Sequence, residues 1–220
     1  MRLRLNTHNY TIEYYDNNAA DYAALTVNAP MDAARSRFAQ LVTDKGRVLD
    51  FGCGSGRDTK YFIDQGFMVD ALDGSAELAR IASKYTGIEV RTILFQEFAE
   101  KDRYDGIWAC ASLLHMNDED LMDVLVRLRD ALKNNGILYA SFKYGDYQGV
   151  MNGRFYNYMD EKRFSQMLKG ISGLEIADSW LNEDSLGRTD EARWLNILMK
   201  KTDIHTAMTE KGFIHAASIL

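Results

Sequence analysis

Asp50, Gly52, Gly54 and Gly56 stand at alternate positions in Val48-Leu49-Asp50-Phe51-Gly52-Cys53-Gly54-Ser55-Gly56-Arg57-Asp58, where an apolar run meets a glycine-rich turn. Glycines accept φ > 0 and carry no Cβ, so N–H groups opening the next helix can lie directly against a small molecule. The spacing selects the ligand. A dinucleotide fingerprint, Gly-x-Gly-x-x-Gly, requires glycine where this chain has Arg57. Asp50 would repel a pyrophosphate and instead suits an ammonium group. Asp73 follows a second apolar run, Phe67 to Leu72, 17 residues beyond Gly56. An acid in that place can accept both hydroxyls of a ribose. A nicotinamide-dependent oxidoreductase is therefore the weaker reading.

These residues resemble the class I S-adenosylmethionine-dependent methyltransferases, whose first motif is Asp/Glu-x-Gly-x-Gly-x-Gly and whose second is an acid at the end of strand two. The run Gly52 to Asp58 joins an upstream Tyr14-Tyr15-Asp16 with Ala20, Tyr22 and Thr26, and a later Tyr104-Asp105-Gly106-Ile107-Trp108. Together they are similar to a bacterial small-molecule branch of that family, near the tellurite-resistance type, over roughly residues 10 to 200. The resemblance implies S-adenosylmethionine as cofactor and S-adenosylhomocysteine as product. It places Asp50 on the methionine ammonium, and Gly52, Cys53 and Gly54 beside the amino-acid moiety and ribose. Asp73 would anchor the ribose, Gly74 would leave room for adenine, and Cys110 and Ala111 would lie under the methionine portion. Arg57 has two open readings: it reaches the cofactor carboxylate, or it pairs with a neighbouring acid. Many relatives carry an acid after strand three that meets the adenine amino group. This chain has Leu94-Phe95-Gln96-Glu97 there, leaving the Phe95 backbone and the Gln96 side chain as candidates. The Asn/Asp-Pro-Pro-aromatic tetrad of nucleic-acid methyltransferases would follow strand four, where Ala111-Ser112-Leu113-Leu114 stands instead.

Methyl transfer from a sulfonium asks little of side chains, because holding a nucleophile in line supplies most of the acceleration. A base matters only for acceptors that must lose a proton. His115, just after strand four, is the candidate, with Tyr15 and Tyr144 as further candidate catalytic residues. Tyr14, Tyr147, Arg154, Tyr156 and Tyr158 add aromatic and cationic groups for an acceptor pocket or lid. The expected reaction is methylation of a small molecule or a metalloid oxyanion. The alternative is a regulatory module that binds S-adenosylmethionine or its product without catalysis, and an open acceptor pocket beside the methyl position separates the two.

The elements that must position these residues follow from periodicity. Strands alternating with helical patterns predict an α/β fold: one Rossmann-like domain with a seven-stranded, mostly parallel sheet, helices on both faces and an antiparallel C-terminal strand pair. Residues 12–42 read as helical, with a break near Pro30. The strands are expected at Arg47–Phe51, Phe67–Leu72, Val90–Leu94, Ile107–Ala111, Ile137–Phe142, Leu174–Trp180 and Trp194–Met199. Helices follow the glycine turn and run over Ser75–Tyr85, with Ser75 as N-cap, and Asp118–Leu132, stopped by Asn134-Asn135-Gly136. Lys143–Asp160, rich in Gly and Tyr, reads as an irregular substrate loop. The expected organisation is an N-terminal helical cap over 1–46, a cofactor-binding core over 47–200 and a tail of unassigned role over 201–220.

Composition agrees with one such domain. The chain has 220 residues, 46% of them hydrophobic, and a formal net charge of −6, which argues against a nucleic-acid backbone as partner. No apolar stretch offers a membrane span or a signal peptide, and two cysteines without metal-ligand spacing fit a reducing compartment, so a cytoplasmic monomer or homodimer with no metal is expected.

Overall fold

The computed structural model describes residues 7–184, 187 and 193–203. Two helices, α1 (Thr7–Thr26) and α2 (Asp32–Leu41), precede the sheet and are separated around Pro30. The sheet is built from β1 (Arg47–Phe51), β2 (Met68–Asp73), β3 (Val90–Thr92), β4 (Tyr104–Ala109) and β5 (Leu132–Lys143). Helices α3 (Arg57–Asp64), α4 (Ala76–Thr86) and α5 (Asp118–Ala131) connect them. A hairpin, β6 (Gln148–Met151) and β7 (Arg154–Asn157), then leads to α6 (Glu161–Leu168) and to the closing strands β8 (Leu174–Glu183) and β9 (Arg193–Lys201). The seven-stranded order is β3-β2-β1-β4-β5-β9-β8, with β1 to β5 parallel and β9 antiparallel to both its neighbours.

Strand alternation divides the core between the two faces. Leu49, Phe51, Ile107, Ala109, Leu138, Ala140 and Phe142 point to one side, where α5 contributes Leu121, Leu125 and Leu128. These three leucines are fully buried, each contributing about 1.5–3 kcal/mol. Val48, Trp108, Ile137, Tyr139 and Leu198 point to the other side, against Phe38 of α2 and Phe62 of α3. Trp108 and Tyr139 stack at 3.8 Å between ring centroids. Central strands covered on both faces explain why β1 and β4 read as continuous apolar runs.

Three expectations need correction. The Asn134-Asn135-Gly136 stretch lies inside β5 and does not end α5, which stops at Ala131 with Leu132 already extended. Asn135 takes φ 63°, and the pairing with β4 shifts register between Tyr104 and Gly106, so the loop-forming triplet is absorbed as an irregularity. Second, Lys143–Asp160 is no irregular loop: it carries the β6–β7 hairpin, turned by Asn152-Gly153 with φ 51° and 77°. Third, α6 was not anticipated, although Asp160 caps it by accepting the Arg163 N–H at 2.7 Å. Ser75 caps α4 as expected, its hydroxyl accepting the Leu78 N–H at 3.1 Å. The tail beyond residue 203 and most of the polar segment 185–192 lie outside the described residues.

Candidate active site

The carboxyl ends of β1, β2, β4 and β5 meet at one edge of the sheet, and the candidate residues collect there. Asp50, on β1, is buried and accepts the Thr59 hydroxyl proton at 2.6 Å. Burial, reinforced by the neighbouring Asp58 charge, pushes its pKa up to about 8. The chain then turns through Gly52, Gly54 and Gly56 with φ 82°, 56° and 80°. A Cβ at Gly52 would lie 2.5 Å from Ser112 Cβ and 2.9 Å from Phe95 Cζ, so only glycine fits. The N–H groups of Gly52 and Cys53 donate to the Leu72 carbonyl at 2.9 and 3.0 Å, fixing the turn beside β2.

Asp73 ends β2 with its oxygens divided: one accepts the Gly54 N–H and the other the Ser75 N–H, both at 2.9 Å. Burial raises its pKa to about 6 against the pull of these donors. The acid is buried, not the exposed strand-end group its position suggests. Asp16 of α1 clasps the same turn, accepting the Ser75 hydroxyl at 2.6 Å and the Glu77 N–H at 3.3 Å.

Of the two readings of Arg57, pairing is the one observed. Its guanidinium donates to both oxygens of Asp58 at 2.9 and 2.6 Å. Burial opposes its charge, and the Asp58 carboxylate outweighs that and holds the pKa above the usual range. Asp58 also accepts Trp108 Nε1–H at 2.9 Å, so the pair is anchored to β4. At the end of β4, burial lifts the Cys110 thiol to about 12 and keeps it protonated. Ala111 adopts φ 53°, a left-handed conformation rarely taken by a residue with a Cβ, and donates its N–H to Ser141 Oγ at 2.8 Å.

His115 lies in a 3-10 turn before α5. Its Nδ1 is 2.6 Å from the Phe155 carbonyl, which can only accept, so Nδ1 carries the proton. Nε2 is then the acceptor for the Tyr15 hydroxyl at 2.9 Å. Burial drives the His115 pKa down to about 4 and the Tyr15 phenol well up, so both are neutral near pH 7. Arg154 of β7 lies over this pair, its Cζ 4.3 Å from the Tyr14 ring centroid, 5.8 Å from Tyr15 and 5.2 Å from Tyr156. Tyr144 is placed elsewhere: it lies outside the cleft, with Arg193 over its ring at 4.7 Å. Tyr147 and Tyr158 pack on each other and also lie off the cleft.

Two cavities adjoin at this edge. One is lined by Ile12, Asp73, Gly74, Leu78, Leu94, Phe95, Gln96 and Ser112, and the other by Asp50, Cys53, Arg57, Lys143, Arg154, Tyr156, Asn182 and Asn196. Tyr15, Tyr22, Gly52, Gly54, Cys110, Ala111 and His115 line both. The first matches a nucleoside: a buried carboxylate for the ribose, apolar walls for a base, and Ser112 Oγ, buried without a hydrogen-bond partner. The second begins at Asp50, whose buried carboxylate suits an ammonium. The residue set thus fits S-adenosylmethionine.

Comparison with known proteins agrees with this fit. Residues 48–136 match the methyltransferase domain family. Over that segment the chain is similar to methyltransferase domains. Its fold is close to that of 1,6-didemethyltoxoflavin-N1-methyltransferase from Burkholderia thailandensis, crystallised with 1,6-didemethyltoxoflavin and S-adenosylhomocysteine. The TM-score is 0.75 at 22% identity, covering 92% of each chain. In sequence, this chain is 36% identical over 104 residues to N-terminal Xaa-Pro-Lys N-methyltransferase 1-A of Xenopus laevis, covering 44% of this chain and 46% of that one. It is 29% identical over 140 residues to YqeM of Bacillus subtilis, covering 59% and 57%. The chain therefore spans about half the length of these two relatives.

Sequence reasoning passed over Ile12, Ser112, Ser141, Asn182 and Asn196. Ile12 stands on the helix bearing Tyr15 and was legible as its apolar neighbour at i−3. Asn182 and Asn196 reach the cleft from β8 and β9, and no local signal marks them.

Proposed function

We propose that this protein methylates a small-molecule acceptor with S-adenosylmethionine as donor, the acceptor entering the cavity bounded by Tyr15, His115, Arg154 and Tyr156. One observation carries the reading: the two cavities adjoin and share Gly54, Cys110, Ala111 and Tyr15 as walls, so a donor group held between Asp73 and Asp50 would lie beside further space, lined by Arg154 and Tyr156, for a second molecule. That space also favours catalysis over a purely regulatory binding module.

When bound, S-adenosylmethionine supplies an electrophilic methyl on a sulfonium that departs as a neutral thioether. The protein's own part is positioning. Asp73 would hold the ribose and Asp50 the ammonium, while the glycine turn admits the donor against bare backbone. Ala111, small and fixed by Ser141, keeps the floor of the junction low. Tyr15 donates a hydrogen bond to His115 Nε2 and accepts one from Arg154, so one oxygen lone pair is left for an acceptor N–H or O–H. With a pKa near 4, His115 is a weak base, and its first role is to orient Tyr15.

The finer resemblance to the tellurite-resistance type extends the acceptor range to metalloid oxyanions, and the Burkholderia neighbour extends it to planar heterocycles. Screening acceptor classes for S-adenosylhomocysteine formation tests the reading. Turnover of a small acceptor supports it, whereas tight binding of S-adenosylhomocysteine with no turnover across oxygen, nitrogen, sulfur and metalloid acceptors would favour the regulatory module.

A further inference from the structure

We infer that the acceptor is a planar organic molecule bearing a carboxylate or similar anionic group, and that Arg154 is the residue that selects it. This rests on the methyltransferase reading above and adds the class of substrate.

The two arginines lining the cleft differ in their partners. Arg57 is neutralised bidentately by Asp58. Arg154 has no carboxylate within ion-pair distance among the described residues, and its Nε is buried without a hydrogen-bond partner. Its guanidinium lies against the faces of Tyr14 and Tyr156 and donates one hydrogen bond to the Tyr15 hydroxyl oxygen, a neutral partner. Aromatic faces hold a cation in place without cancelling its charge, so a donor fork remains for an anion.

The surroundings agree. Lys143 lies over the same Tyr156 ring, its Nζ 4.7 Å from the centroid, and lines the same cavity. Asp184 also lines the cavity but accepts Trp194 Nε1–H at 3.0 Å. The raised pKa of Asp50 leaves that acid largely uncharged near pH 7 until an ammonium arrives. Among the described residues lining the acceptor end of the cleft, Arg154 and Lys143 bring two positive charges against the one carboxylate of Asp184, in a protein whose formal charge is −6. Tyr15, Tyr22, Tyr156 and Trp194 supply flat apolar walls there. Placing an anionic edge on Arg154 would set the opposite edge of a ring-sized molecule toward the junction at Tyr15 and Ala111.

The test uses the full chain loaded with S-adenosylhomocysteine and compares benzoate, benzamide and selenite by NMR titration. Saturation by S-adenosylhomocysteine is checked first; its failure defeats the methyltransferase reading itself. With the donor site filled, benzoate should bind at least about tenfold more tightly than benzamide, the difference expected for a charge-assisted bidentate contact. Arg154→Gln should abolish that preference and leave S-adenosylhomocysteine affinity unchanged, while Arg154→Lys should retain part of it. Should Arg154→Gln not fold, the benzoate-to-benzamide ratio in the parent and in Arg154→Lys decides. No saturable benzoate binding, equal affinity for benzamide, or a preference that survives Arg154→Gln overturns the inference. Selenite binding as tightly as benzoate also overturns it, in favour of an inorganic oxyanion.

Discussion

Asp50 makes a quantitative demand on cofactor binding. Its carboxyl is buried behind the glycine turn, bonded by Thr59 and crowded by Asp58, so in the free protein it keeps its proton up to about pH 8. Pairing with the methionine ammonium requires the charged form. Binding therefore expels a proton below that pKa, and affinity must rise with pH. For a single group titrating at about 8, the affinity for S-adenosylhomocysteine should increase about 25-fold between pH 6 and 7.5, or about 1.9 kcal/mol. The ligand's own ammonium starts to titrate above that window. 5′-Methylthioadenosine retains the adenine and ribose but lacks the ammonium, so its affinity should be nearly flat over the same range. Calorimetry at several pH values, in buffers of differing ionisation enthalpy, measures both the slope and the protons released. Parallel slopes for the two ligands, or no proton release with S-adenosylhomocysteine, would refute the assignment of Asp50 to the ammonium. Asp50→Asn should bind S-adenosylhomocysteine weakly and without the slope.

Asp73→Ala should weaken S-adenosylhomocysteine by about 2–4 kcal/mol, and should also lower unfolding stability by about 1–3 kcal/mol because the Gly54 and Ser75 N–H groups lose their acceptor; calorimetry and denaturant titration read the two separately. His115, with a folded pKa near 4, binds fewer protons than the unfolded chain up to its ordinary value of 6.5. Its burial as the neutral form therefore costs stability as pH falls from 6.5 to 4 and costs nothing above, so His115→Gln should flatten denaturant midpoints over that interval relative to the parent. The Phe155 N–H donates to Thr11 Oγ1 at 3.1 Å and Arg154 lies on Tyr14, which joins α1 to the hairpin as one cover. Hydrogen exchange should slow in both segments when S-adenosylhomocysteine binds; protection confined to the glycine turn would rule out a ligand-ordered cover.

Much of this site was legible because its chemistry is local. Asp50, the alternating glycines and Asp73 declare a strand, a turn and a second strand within about 25 residues, and the observed β1 and β2 bear them as expected. Asn152-Gly153 was an equally local signal for a hairpin, obscured by the Tyr and Gly content around it, which suggested an irregular substrate loop. β5 shows the opposite failure. Asn134-Asn135-Gly136 carries sound turn chemistry, but pairing with β4 and β9 overrides it, and that pairing is invisible until strands far apart in sequence are brought together. The fate of Arg57 and Arg154 was undecidable for the same reason: whether an arginine meets an acid or a tyrosine face depends on long-range packing.

The two halves of the cleft come from different parts of the chain. Asp50, the glycine turn, Asp73, Cys110 and Ala111 all fall within residues 48–136, whereas Arg154, Tyr156, Asn182 and Asn196 lie after that segment and Tyr15 and Tyr22 before it. On the proposed reading, the hairpin's share in acceptor recognition is separable from donor recognition. On that reading too, substitutions in the β6–β7 hairpin, whose Arg154 and Tyr156 line only the second cavity, would retune which molecule is modified without touching the strands that hold the donor. A grafted hairpin is accordingly the natural unit for redirecting this scaffold toward new acceptors.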